Sequence, residues 1–99
     1  MRFAMRVKTH PGEILKEEFL VPMGMSANAL SIALRVPATR ISEIIRGRRG
    51  ISAETALRLA RYFGTTPQFW MNLQQAYDLS LAETSVGESI SNEIAPHAA

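Results

Sequence analysis

The stretch Ser26–Arg49, SANALSIALRVPATRISEIIRGRR, decides the fold of this 99-residue chain. It begins with a serine, which is a good N-cap for a helix over residues 27–34. Pro37 then predicts the start of a second helix, which runs to Arg46 and is ended by Gly47. Only two residues lie between the two predicted helices. Two short helices joined in this way have the spacing of a helix-turn-helix motif.

The second helix of this pair combines a buried stripe with a face that is free to enter the major groove of DNA. Ile41, Ile44 and Ile45 are predicted to be buried. Small side chains at the start of the helix allow a close approach to the bases, and arginine offers the forked donors that suit guanine or phosphate. Glu43 has two predicted roles: to accept a hydrogen bond from a cytosine amino group, or to orient an arginine. The DNA contacts predicted on this helix are Ala38, Thr39, Arg40, Ser42, Glu43 and Arg46.

Residues on either side extend this predicted surface. Ser26 and Asn28 open the first helix of the pair, where amide groups and hydroxyls commonly hold a phosphate. Arg48 and Arg49 lie between two glycines directly after the second helix and add cations beside the same groove. An ordinary solvated helix face and a plain surface loop are the alternatives for these predicted contacts.

Charge is unevenly distributed along the chain, although the formal net charge is only +2. Residues 1–8 hold three basic side chains and no acid, and residues 35–61 hold seven arginines against two glutamates. From residue 76 onward every charged side chain is acidic. A basic middle and an acidic end predict two surfaces with different partners, and scattered solvated charge is the alternative. Arg58 and Arg61 are interpreted as solvated surface rather than as DNA contacts.

Capping residues and apolar spacing predict three further helices around the pair. They are bounded by Pro11 and Gly24, by Ser52 and Gly64, and by Pro67 and at least Leu81. The fold class is therefore all-α, with five helices in one domain over residues 9–83. Residues 1–8 are predicted to form an N-terminal arm. Residues 84–99 are predicted to be a flexible acidic tail, because their composition is too weakly apolar to order itself.

Other function classes find little support in the sequence. The chain has no cysteine, no apolar run long enough to span a bilayer and no signal-peptide core, so we expect it in the cytoplasm. Its two histidines are not clustered with other metal ligands, and its glycines do not form a phosphate-binding loop, so no metal or cofactor is predicted. His10 is expected to cap or pack a helix. The chain is not predicted to be an enzyme.

Several blocks of the chain resemble the HigA antitoxin family, some of whose members were named virulence-associated protein I. The resemblance covers residues 9–82, and the block Phe69–Gln74 makes it more specific than a likeness to the phage-repressor (XRE-type) helix-turn-helix. The blocks that carry it are HPGE at 10–13, RISEI at 40–44, GRRGI at 47–51, ALRLA at 56–60 and FWMNLQ at 69–74.

This resemblance implies a dimeric antitoxin that binds a palindromic operator, represses its own operon and neutralises a small toxin that cleaves mRNA on the ribosome. It also implies that Thr39, Arg40 and their neighbours face double-stranded DNA. The acidic segment 76–99 and residues 1–8 would suit the masking of a basic toxin. The alternative is a stand-alone XRE-type repressor with no toxin partner.

Two positions of the motif depart from the pattern of that family. The small residue usual in the middle of the first helix of the pair is Ser31, which is still small, and the glycine usual at the turn is Arg35. A left-handed arginine costs about 1 kcal/mol, so the turn is the place where this chain is expected to differ. The alternative role of Arg35 is a phosphate contact.

The helix after Pro67 has two faces, one predicted to belong to the core and one for which two roles are considered. Phe69 and Trp70 are predicted to belong to the core rather than to a ligand site, and Asn72 and Gln74 are predicted to bind nearby backbone. The second face is a candidate for dimer contacts, with solvated surface as the equal alternative. It carries Met71, Gln75, Asp78 and Leu79.

Overall fold

The computed structural model describes residues 7–98, and every regular element within that range is a helix. The pair predicted from the sequence is α2 (Ala27–Leu34) and α3 (Ala38–Ile45), and α4 (Ala53–Phe63) and α5 (Pro67–Ala82) follow. The all-α fold class is confirmed. Most of the predicted N-terminal arm, residues 1–6, lies outside the described residues.

The first helix, α1, has three parts: α-helical Pro11–Ile14, π-helical Leu15–Leu20 and α-helical Val21–Met23. In the π-helical part, the Val21 N–H donates to the Lys16 carbonyl, five residues back. Pro22 explains this wider path, because its ring carries no N–H and crowds the carbonyl four residues earlier. The helix stays continuous through the proline, and Gly24 ends it in the left-handed conformation with φ of 60°.

Hydroxyl caps start α2, α4 and α5; the serines of the first two were predicted from the sequence, and the threonine of the third was not. Ser26, Ser52 and Thr66 each accept a hydrogen bond from the backbone N–H three residues ahead, at 3.0, 3.2 and 3.1 Å. Each cap satisfies one of the amides that a helix start leaves without an intrahelical partner. These caps fix where α2, α4 and α5 begin, whereas α3 begins after Pro37 without a side-chain cap.

The core lies where the first five helices meet. Trp70 is fully buried, and its Nε1 donates to Thr65 Oγ1 at 2.8 Å. Phe19 and Phe63 pack against it, with Phe19 ring contacts at 5.0 Å to Trp70 and 4.8 Å to Phe63. The core role predicted for Trp70 is confirmed, whereas Phe69 packs its ring edge on Trp70 but is 38% exposed. The other large side chains that are fully buried are Leu15, Leu30, Ile41, Ile44 and Leu59.

The chain remains helical beyond the predicted start of the tail. After α5 it continues through π-helical Glu83–Gly87 into α6 (Glu88–Glu93), and only residues 94–98 lack regular structure in the described part of the tail. The structure therefore has helix over residues 84–93, where the sequence predicts a flexible tail too weakly apolar to order itself. Extending an existing helix costs far less than nucleating one, so a weakly apolar segment can continue it. Val86 and Ile90 also extend the apolar stripe of α5, while the serines at 80 and 85 are bonded locally.

No helix among residues 7–98 is both long and apolar enough to cross a membrane.

Candidate DNA-binding surface

A single buried serine joins the two helices of the pair. Ser31 is 1% exposed, and its hydroxyl lies 3.0 Å from the Ala27 carbonyl and 3.4 Å from the Ala38 carbonyl. The first carbonyl belongs to α2 and the second to the start of α3. A larger side chain at this position would separate the helices, so the small residue sets how closely α3 crosses α2.

Arg35, at the turn between the two helices, adopts the left-handed conformation although it is not a glycine. Arg35 has φ of 59° and ψ of 46°, and its N–H bonds the Ile32 carbonyl at 3.2 Å. The next residue, Val36, bonds the Ser31 carbonyl at 3.1 Å. These bonds close the end of α2 in the manner of a Schellman motif. The turn is therefore formed with the backbone strain that the sequence predicted, and Arg35 projects from an exposed position.

Arg58 on α4 holds the same end of α2 from outside the motif. Its Nη1 donates to the Leu34 carbonyl at 2.9 Å, and its Nη2 pairs with Glu54 Oε2 at 3.0 Å. The side chain of Arg58, interpreted as solvated surface, is 38% exposed, and its guanidinium also caps a helix end. Its spacing from Glu54 predicts the ion pair. The bond to Leu34 joins residues 24 positions apart, and no local sequence pattern predicts it.

Helix α3 has one buried side and one unburied side, as its sequence predicted. Ile41 and Ile44 are fully buried, and Ile45 is half-buried against the core. Of the predicted DNA contacts, Ala38, Thr39 and Arg46 are exposed, while Arg40, Ser42 and Glu43 are half-exposed. The unburied side of α3, together with Arg46 directly after its end, therefore carries all six residues and presents a mixture of small, hydroxyl and charged groups.

Glu43 and Arg49 form an ion pair across the end of α3. Glu43 Oε1 accepts from Arg49 Nη2 at 2.9 Å and from Arg49 Nε at 3.2 Å. Both side chains are about half exposed, so the pair adds little to stability. Of the two roles predicted for Glu43, the geometry matches the orientation of an arginine. The pair favours one direction for a guanidinium that would otherwise sample many rotamers.

The loop after α3 is anchored at both ends. The Arg48 N–H donates to the Glu43 carbonyl at 2.9 Å, which ties the start of the loop to α3. The Ile51 N–H donates to Gln74 Oε1 on α5 at 2.7 Å. The side chains of Arg48 and Arg49 remain exposed between these two anchors. Backbone binding by Gln74 is confirmed, whereas Asn72 is exposed on the same helix.

The start of α2 presents the two remaining predicted contacts. Ser26 is exposed, and its Oγ caps the helix by accepting from the Ala29 N–H at 3.0 Å. Asn28 is exposed in the first turn. The N-terminal end of α2 therefore combines a hydroxyl, an amide side chain and unbonded backbone N–H groups, which together suit a phosphate.

His10 has the structural role that the sequence predicted. Its Nδ1 accepts from the Gly12 N–H at 2.9 Å and caps α1, while its ring packs edge-on against Tyr77 at 4.8 Å. Burial lowers the pKa of His10 from its usual value, and the nearby carboxylate of Asp78 opposes that shift. Among the described residues there is no group of acidic, histidine or cysteine side chains that could hold a metal ion.

A shallow apolar groove of about 550 Å³ runs along α5 on the face predicted for dimer contacts. Leu79 is its most prominent apolar side chain and is 57% exposed. The groove brings together the four predicted residues and two others. Its lining is Met71, Gln74, Gln75, Asp78, Leu79 and Ala82.

Comparison with known proteins places this geometry in a family. The family model described as helix-turn-helix matches residues 15–70. Virulence-associated protein I of Dichelobacter nodosus is 64% identical over 74 residues, which cover 75% of this chain and 68% of that protein.

Two solved structures are similar over almost the whole chain. The Pseudomonas aeruginosa antitoxin HigA with the higBA promoter has a TM-score of 0.89 at 50% identity, covering 91% of this chain and 98% of that one. The antitoxin GraA in complex with its operator has a TM-score of 0.93 at 46% identity, covering 100% and 99%.

The pair of helices and the matching family model define this chain as a helix-turn-helix protein. The likeness at high identity and coverage is more specific, and the chain belongs to the HigA antitoxin family. The role of that family is DNA binding and regulation as an antitoxin, which is not an enzymatic role.

Proposed function

We propose that this chain is the antitoxin of a HigB/HigA-type module that binds operator DNA as a dimer and represses its own operon. The observation that carries this proposal is the unburied face of α3, which is flanked by the exposed arginines at 46, 48 and 49. Similar antitoxins have been solved with a promoter and with an operator, which supports DNA binding by this chain.

The proposed contacts divide into two groups by their place on this surface. On α3, Thr39, Arg40, Ser42 and Arg46 reach base edges or flanking phosphates, Ala38 allows the close approach, and Glu43 orients Arg49. Ser26, Asn28, Arg48 and Arg49 hold the phosphate backbone and set the register of the helix in the groove.

Footprinting on the duplex that lies upstream of the chain's own gene tests the DNA-binding proposal. Two-fold operators mirror two-fold proteins, so we expect protection of two half-sites about one helical turn apart. Protection of a single half-site, or of no segment at all, would contradict repression by a dimer at this DNA.

A dimer through the groove on α5 is proposed because an exposed leucine and a methionine line it beside the buried core. Leu79→Glu is expected to shift the protein from dimer to monomer at micromolar concentration, as measured by light scattering. Leu57→Glu is the matched control, since Leu57 on α4 is 59% exposed and lies outside the groove. If both variants remain dimeric, the interface lies elsewhere.

Neutralisation of a small mRNA-cleaving toxin rests on membership of the family. The acidic residues of the C-terminal segment, at 78, 83, 88 and 93, suit a basic partner. A stand-alone repressor is the second candidate, since the α3 surface is the same in both. Co-expression with the product of the adjacent gene distinguishes them. Co-purification together with relief of growth arrest is expected for an antitoxin, and a stand-alone repressor would give neither.

We also propose that the chain acts in the cytoplasm, where its DNA lies.

A further inference from the structure

Gln74 is the buried polar side chain that links the long helix α5 to the loop after α3. It is 8% exposed, and both ends of its amide are engaged. Oε1 accepts from the Ile51 N–H at 2.7 Å, and Nε2 donates to Asp78 Oδ1 at 2.9 Å. An amide accepts at one end and donates at the other, so these two partners fix its orientation.

The loop backbone lies directly against this amide. A Cβ added at Gly50 would lie 2.9–3.0 Å from the Gln74 amide atoms, which is too close for an ordinary contact. Ile51, whose N–H is bonded, is itself 3% exposed. The loop therefore cannot move away from α5 without leaving a buried N–H unbonded, which costs more than an exposed bond would.

We propose that Gln74 is a positioning residue for DNA binding: it holds the loop so that Arg48 and Arg49 reach the DNA phosphates beside α3. The loop is tied to α3 at Arg48 and to α5 at Ile51, which leaves two residues between the anchored amides. So short a span restricts where the two guanidinium groups can lie. This inference rests on the proposed function, because it assumes that the two arginines contact DNA.

Gln74 lies between two surfaces of the molecule, the groove on α5 and the loop after α3. Gln74 and its partner Asp78 line the groove on α5, while the same amide holds the loop. Whatever occupies the groove therefore lies against the residue that positions the arginines.

The test uses Gln74→Met, which keeps the length and burial of the side chain and removes both hydrogen-bonding groups. Gln68→Met is the matched control, because Gln68 is exposed on the same helix. Binding is measured by fluorescence anisotropy on the duplex upstream of the chain's own gene, with circular dichroism to show that each variant is folded. We expect Gln74→Met to weaken binding about tenfold, within the usual range for coupled residues, and Gln68→Met to leave it unchanged.

A double-mutant cycle separates positioning from general destabilisation. In a background of Arg48→Ala with Arg49→Ala, Gln74→Met is expected to have less than about a twofold effect, because the side chains it positions are gone. Gln74→Met is also expected to lower the slope of affinity against salt toward that of the double arginine variant. An equal loss in both backgrounds, or an unchanged salt slope, would overturn the inference.

A second variant keeps the inference testable if Gln74→Met does not fold. Gly50→Ala places a methyl group against the Gln74 amide and so disturbs the same contact from the loop. In the double-mutant cycle, its effect on DNA affinity is expected to depend on the two arginines in the same way as that of Gln74→Met. Failure of the proposed function can be distinguished from failure of the positioning role of Gln74. If the proposed function is wrong, the wild-type protein does not bind the duplex at all. If the wild type binds but loss of both arginines has no effect, the positioning role is wrong and DNA binding stands.

Discussion

Arg35 is the only residue other than glycine with a positive φ in the described part of the chain, at 59°. It stands at the turn of the motif, where its N–H and that of Val36 close the end of α2. The Cβ of an L-residue crowds the carbonyl oxygen in this conformation. The turn is thus held by hydrogen bonds around it, including the one from Arg58 to the Leu34 carbonyl, and not by the preference of the residue that forms it.

Replacing Arg35 with glycine is expected to raise the free energy of unfolding by about 1 kcal/mol, because the left-handed strain is removed. Urea denaturation measures the change. Arg35→Ala is the control, since it removes the same charge but keeps the Cβ. A glycine variant no more stable than the alanine variant would show that the turn is not strained.

His10 predicts a dependence of stability on pH. Its pKa is lowered in the folded protein mainly by burial, with Asp78 opposing the shift. The folded protein therefore binds the proton less readily than the unfolded chain, so stability is complete above the unfolded pKa of about 6.5 and falls as the pH is lowered through it. Protonation at Nδ1 would also remove the acceptor for the Gly12 N–H.

Unfolding free energies measured between pH 5 and pH 8 check this expectation. His10→Asn is the comparison, because asparagine is a good N-cap that does not titrate in this range. The wild type is expected to lose more stability than the variant on acidification. Parallel pH profiles would assign the titration to other groups.

The elements show where local sequence decides structure and where it does not. Hydroxyl caps and the prolines at 11 and 67 placed the helix starts, because capping is a local interaction. The π-helical part of α1 and the helical continuation after α5 were not predicted. The π-helical part results from the missing N–H and the bulky ring of Pro22. The continuation after α5 results from the low cost of extending a helix that has already formed.

The contact of α1 with α3 depends on a single glycine. A Cβ at Gly12 would overlap the Ile44 carbonyl, so the two backbones approach more closely than any side chain allows. Gly12→Ala is therefore expected to lower the free energy of unfolding by more than about 2 kcal/mol, since backbone must move to admit the methyl group.

Gly24→Ala is the matched control for that measurement, again by urea denaturation. Gly24 has φ of 60° but open space around its Cβ position, so its replacement adds only backbone strain of about 1 kcal/mol. If Gly12→Ala is tolerated as well as Gly24→Ala, the close approach of α1 to α3 is not required by the fold.

At the scale of the whole molecule, the fold supports two surfaces on one elongated body of 52 × 24 × 22 Å. The seven arginines of residues 35–61 lie in and around the motif, and four of the nine acidic residues lie on α5 and the helical segment after it, as the charge distribution along the sequence indicates. The pairing of Glu43 with Arg49 was one of two predicted outcomes. The contacts of Arg58 with Leu34 and of Ile51 with Gln74 join residues more than 20 positions apart, and single-sequence patterns carry no signal for such pairs.

The central claim is that the unburied face of α3 reads DNA. Its most direct test is the affinity of Arg40→Ala for the duplex upstream of the chain's own gene, measured beside the wild type and Arg61→Ala. Arg61 is an exposed arginine on α4, outside the proposed contacts. The account predicts that Arg40→Ala weakens binding by about 1–3 kcal/mol with the fold intact, while Arg61→Ala binds like the wild type. Unchanged binding by Arg40→Ala, or an equal loss in both variants, would contradict it.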